Sequence, residues 1–142
     1  GTPLRERLNT DDAVCFTRTY DAAHLKAHPQ QTVRRIAVLK AKGERRAPDD
    51  FPFYKLMFRV ELKSGKTFEK ETTCAPDQYA YSCTHDMDAD TAREFYLTRA
   101  GQEHVMLRDR RGAMSKLFDV KLSTDDRIFK LQQSPVDACA FR

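Results

Sequence analysis

Between Lys55 and Lys63 apolar and polar residues alternate. Leu56, Phe58, Val60 and Leu62 fall on one side of an extended chain, and Lys55, Arg59, Glu61 and Lys63 on the other, with Met57 the exception. Alternation with period two over this length marks a strand with one dry and one wet face. The Lys63-Ser64-Gly65 that comes next suits a three-residue hairpin loop with Gly65 in the left-handed conformation. That loop sets Val60 opposite Phe68 and Arg59 opposite Glu69, an apolar pair on one face and opposite charges on the other. A two-residue loop would oppose Phe68 to Glu61, so the three-residue register is the self-consistent one. Similar turns recur: Arg99-Ala100-Gly101 joins a strand at 95–97 to one at 105–107, and Arg110-Arg111-Gly112 leads on to a strand containing Leu117. Further strands are expected at 14–19, 33–39, 79–84 and 127–132. One helix is signalled at 22–28, with Asp21 as its N-cap and Pro29 as its stop.

Eight or nine short strands joined mainly by hairpins predict a mainly β fold. The expected form is an antiparallel β-barrel (or sandwich) of about eight strands, with one short N-terminal helix at an end. Residues 1–12 (GTPLRERLNTDD) read as a flexible amino-terminal arm, and 13–142 as a single barrel-like domain, since no shift of composition marks a linker. One-sided strands also account for the low mean hydropathy, −0.69, of a chain that is 40% hydrophobic and 32% charged. No run of about 18 apolar residues occurs, so no helical membrane span is expected. The net charge of +4, from 25 basic against 21 acidic residues, singles out no partner. Basic clusters at Arg34-Arg35, Lys40 and Lys42, Arg45-Arg46, and Arg108 with Arg110-Arg111 are interrupted by Glu44, Asp49 and Asp109. That pattern reads as a solvated face and not as a nucleic-acid stripe.

Four cysteines, Cys15, Cys74, Cys83 and Cys139, show neither C-x-x-C spacing nor a zinc-type Cys/His cluster. An even count fits two disulfides, with three connectivities open. The favoured one joins Cys74 to Cys83 across a short loop and Cys15 to Cys139 near the two ends. Such bridges persist in the periplasm or outside the cell. The alternative is four buried thiols in a cytosolic protein. The polar stretch 1–12 has no apolar segment, so export implies a signal already removed.

Candidate chemistry is sparse. Asp86, Asp88 and Asp90 alternate as at the opening of a calcium loop, but Thr91 stands where that loop needs glycine and Leu97 where it needs a bidentate glutamate. An acidic turn is the competing reading. His24 and His28 share one face of the predicted helix, yet Leu25-Lys26-Ala27 between them lacks the glutamate of H-E-x-x-H. Neither a G-x-S-x-G elbow nor a glycine-rich phosphate loop is present, and no cofactor is implied. Phe51, Phe53, Tyr54, Tyr79 and Tyr81 lie at or beside predicted strand ends. There they would either line a barrel mouth as a ligand site or fill the core.

The opening Cys15-Phe16-Thr17-Arg18-Thr19-Tyr20-Asp21 with His24-Leu25 and His28-Pro29, and the ending Asp125-Asp126-Arg127-Ile128-Phe129 before Cys139, resemble small exported proteobacterial proteins of uncharacterised function. The resemblance implies export and paired cysteines, and no activity. Periplasmic lysozyme inhibitors are similar in size, strand content and disulfide use, although this chain carries none of their inhibitory motif. The resulting expectation is an exported, non-enzymatic protein that binds a protein or small-molecule ligand in the envelope, as an interaction or inhibitor-type module. The alternatives are a lipocalin-like carrier of a small apolar ligand, or a metal-dependent enzyme using His24, His85, Asp86 or Asp88.

Overall fold

The alternation around Phe58 is realised as strand β3 (Tyr54–Leu62), in which every second residue from Tyr54 to Leu62 is buried. The computed structural model describes residues 8, 12–42, 54–77, 80–84, 95–101, 103–109, 112–123 and 125–141. β3 pairs with β4 (Thr67–Asp77) in the register expected from the turn, Val60 opposite Phe68 and Arg59 opposite Glu69. Gly65 in the connecting turn has φ +92°, and a Cβ placed there would meet nothing within 4 Å. Only backbone strain therefore opposes a side chain at this position. Gly65→Ala is expected to cost about 1–2 kcal/mol in urea unfolding, from the left-handed penalty alone.

The remaining strands are β1 (Val14–Thr19), β2 (Val33–Lys40), β5 (Ala80–Thr84), β6 (Phe95–Arg99), β7 (His104–Arg108) and β8 (Ile128–Ser134). All eight pair antiparallel in chain order, and β8 returns to β1, so the sheet is a closed barrel with no terminal strand. Most inward positions are apolar: Phe16, Ile36, Val38, Leu56, Phe58, Val60, Phe95, Leu97, Val105, Leu107, Phe129 and Leu131 are each 2% exposed or less. An eight-stranded barrel is just wide enough for its own side chains to fill. A void able to hold water would leave accessible area on its lining, and seven of these twelve residues show 0%. Leu8, from the segment expected to be a flexible arm, is 2% exposed and belongs to this core.

At the upper end, where β1, β3, β5 and β7 finish, two short helices among the described residues sit on the connections. Helix α1 (Ala22–Ala27) is capped by Asp21, whose carboxylate accepts the His24 amide at 2.8 Å. The expectation of a single helix is corrected at α2 (Ala113–Phe118), where the turn spacing predicts a strand. Gly112 does turn the chain, with φ +70°, but the residues after it are helical. Ala113, Met114, Leu117 and Phe118 are buried together, the spacing of one helix face. The cap comes from Asp109, whose carboxylate accepts the Ala113 amide at 2.6 Å and the Met114 amide at 2.9 Å. Phe118 reaches Phe68 of β4, ring centroids 6.5 Å apart.

Both disulfides are present, in the pairing favoured from the sequence. Cys74 and Cys83 face each other across β4 and β5, with their sulfurs in the core. Cys15, on the outward face of β1, bonds Cys139 of a short 3-10 helix (Val136–Ala140) laid over Ala37 and Leu39 of β2. Arg59 Nη1 donates to the Cys139 carbonyl at 2.9 Å, and the Arg35 guanidinium lies 4.2 Å from the Phe141 ring centroid. No helix among the described residues is long and apolar enough to cross a membrane.

Candidate functional site

In a closed barrel, a strand residue faces either the packed interior or the outside, so three regions can meet a ligand: the two mouths and the outer wall. The lower mouth holds Tyr54 and Tyr81. Both are buried, at 1% and 3% exposure, and their rings meet edge-on at 5.9 Å. Beside them Lys40 turns inward, 1% exposed, and its Nζ donates to the Asp12 carbonyl at 2.7 Å. Phe51, Phe53 and Tyr79, the other aromatics expected at a mouth, lie outside the described residues. So do His85, Asp86, Asp88 and Asp90.

The upper mouth is closed by a polar network that links segments far apart in sequence. Gln31, buried under α1, donates from Nε2 to the Val33 carbonyl at 2.8 Å, which leaves its Oε1 as an acceptor. His24 Nε2 lies 3.0 Å from that oxygen and therefore carries the proton. The His24 ring stacks on His28 at 4.4 Å and on Tyr20 at 4.6 Å, so the two histidines expected on one face do lie together. Asp126, 1% exposed, gathers the network: its carboxylate accepts the amides of Thr32 (2.9 Å), Val33 (3.0 Å) and Ser123 (3.0 Å), and the Ser123 hydroxyl at 3.0 Å. These bonds tie the start of β2 to the β7–β8 connection. They satisfy the carboxylate within the protein, as a positioning group needs.

Burial of Tyr20 pushes its phenol up to about 12, against the opposing charge of Arg18 and with that of Asp126. In the unfolded chain the same group ionises near 10.0, so the folded state holds its proton more tightly and loses stability as pH rises from 10.0 to about 12. Titration of tyrosinate absorbance should show a step near pH 12 that Tyr20→Phe removes. Tyr20→Phe should flatten the fall in stability above pH 10.0.

The outer wall divides into two unlike faces. On β2, β3 and β4 each outward cation that neighbours a carboxylate is held by it: Arg34 and Arg35 meet Glu61 at 3.1 and 3.3 Å, Arg59 bonds Glu69, and Lys55 lies 3.7 Å from Glu71. Burial pushes the Glu61 carboxyl up, but the hydrogen bonds and charges of Arg34 and Arg35 outweigh it and hold the group below its usual range. On β6, β7 and β8 the cross-strand rows read Tyr96–Arg108–Ile128, Thr98–Met106–Lys130, and His104 opposite Gln132. Among the described residues, no outward position of these three strands is acidic. Ile128 is 57% exposed, the most exposed of the large hydrophobic residues described.

Among the described residues, no group of three His, Cys, Asp or Glu side chains converges as metal ligands would. Comparison with known proteins finds no family, no curated protein and no solved structure that matches the chain.

Proposed function

We propose that this chain is an exported, non-enzymatic binding protein that engages an envelope partner through its outer surface. The observation that carries the reading is the packed interior. With Phe58, Leu56, Val60, Ile36, Leu107, Phe129 and Leu131 at 0% exposure, the barrel acts as a rigid scaffold, and recognition falls to its exterior. Two disulfides support export, because bridges of this kind last in an oxidising compartment. The same packing weighs against a lipocalin-like carrier, which needs a cavity of roughly 300 Å³ or more. The upper-mouth polar groups are bonded to one another, which favours a structural use over catalysis.

The test is capture from a bacterial envelope extract on the oxidised protein, then binding of the recovered partner in purified form. Denaturing mass spectrometry of the unheated, freshly isolated protein runs alongside. The proposal expects a partner protein that binds directly and no released small molecule. A stoichiometric apolar molecule released on denaturation would replace it with the carrier reading.

A further inference from the structure

We propose that the outward face of β6, β7 and β8 docks an acidic protein surface; this rests on the reading of the chain as an outer-surface binder. The two outer faces differ in how their cations are paired. Arg34, Arg35, Lys55 and Arg59 on β2 and β3 are each paired with a glutamate, Glu61 serving both Arg34 and Arg35, so three carboxylates offset most of the charge of four cations. Among the described residues Arg108 and Lys130 form no ion pair, although Arg108 has a cross-strand neighbour on both sides and Lys130 has one on β7. Those neighbours are Tyr96 and Ile128 for Arg108, and Met106 for Lys130. The covering 3-10 helix lies over β1 and β2, and nothing among the described residues is seated over Ile128.

The composition of the face selects the partner. Tyrosine, methionine, arginine and an exposed isoleucine without carboxylates are what the centre of a protein–protein interface contains. Arg108 offers a planar fork for a bidentate carboxylate, while Lys130 acts as a mobile point charge. A nucleic acid would call for a longer run of cations tracking a phosphate backbone; here, among the described residues of the three strands' outward face, two cations are separated by Ile128 and Met106. A membrane would call for a broader apolar surface than one isoleucine and one methionine. Closure of the barrel leaves no terminal strand for a partner strand to extend, so recognition runs through side chains. Carboxylates that meet Arg108 and Lys130, with an apolar contact over Ile128, complete what the face lacks.

The experiment is a nuclear magnetic resonance titration of the isotope-labelled, oxidised chain with a random copolymer of glutamate and tyrosine. Anionic phosphatidylglycerol vesicles and oligodeoxythymidylate form the comparison arms. The expected result is amide shifts concentrated at Tyr96, Met106, Arg108, Ile128 and Lys130. Affinity should fall about tenfold in the double variant Arg108→Glu, Lys130→Glu and severalfold in Ile128→Ser, with thermal midpoints close to wild type. Shifts spread equally over Arg34, Arg35, Lys55 and Arg59, or no shift on β6–β8, would overturn the assignment of this face. So would tighter binding of vesicles or oligonucleotide there, or sedimentation showing a second copy of the chain seated on it. An envelope partner that binds the double variant as well as wild type would remove this face and leave the outer-surface reading intact. A small molecule released from the interior would remove both.

Discussion

Replacing Cys15 and Cys139 together by alanine should lower the free energy of unfolding by about 4–5 kcal/mol, which a shift of the urea midpoint would measure. The bridge closes a sequence separation of 124 residues, and the entropy removed from the unfolded chain grows with the length closed. Cys74–Cys83 closes a separation of nine, for which the same relation gives about 2.5 kcal/mol. A domain of this size typically has about 5–15 kcal/mol in total, so loss of the longer bridge removes about a quarter of it or more. The substitution also frees the 3-10 helix from β1, leaving the Arg59 bond to the Cys139 carbonyl and the Arg35–Phe141 stack to hold it. A loss below about 2 kcal/mol would mean that these arginine contacts keep the segment in place without the sulfur bond.

Asp126→Ala should cost about 3–5 kcal/mol, because it strands the amides of Thr32, Val33 and Ser123 where the aspartate is 1% exposed. Hydrogen bonds to a charged acceptor contribute about 1.5–3 kcal/mol each, and those of one carboxylate are not additive. Asp126→Asn keeps the shape but turns one acceptor into a donor facing amide hydrogens, so it should lose a substantial part of the same stability. Hydrogen exchange would report the effect locally. The Thr32, Val33 and Ser123 amides should lose protection well before Leu56 or Phe58 in the barrel wall. Equal loss throughout would mean that the upper closure and the barrel unfold as one unit.

What is legible in the sequence is what neighbouring residues decide. The β3–β4 hairpin can be read there because Gly65, the apolar pair Val60–Phe68 and the ion pair Arg59–Glu69 all require one register. Helix α2 cannot. Its Arg110-Arg111-Gly112 approach has the look of a hairpin turn, and the cap that starts the helix belongs to Asp109, before those residues. The Asp125-Asp126 pair has the form of turn chemistry, which the Ser123 bonds fit, but the amides of Thr32 and Val33 lie more than ninety residues away and leave no local trace. The candidate face is hidden for a related reason. Along the chain Arg108 belongs to a loop cluster with Arg110 and Arg111. Only the strand order sets it between Tyr96 and Ile128 and shows that, among the described residues, no glutamate lies across from it. A cation's importance here depends on its lateral neighbours, and those are a product of the fold.

The placement of the Cys15–Cys139 bond has a mechanical consequence. It joins the strand that opens the barrel to the segment that comes after the strand closing it, along a seam that β1 and β8 already share. Tension applied to the chain outside the two cysteines therefore passes through sulfur, and the hydrogen-bonded wall between them carries none of it. An attached or tugged copy of the protein would give up the contacts of Leu8 and Asp12, which lie outside the bridge, but keep its barrel until that covalent path is cut. The same short circuit confines enzymes that trim from either end to the residues beyond the cysteines, whatever the wall's own resistance to unfolding.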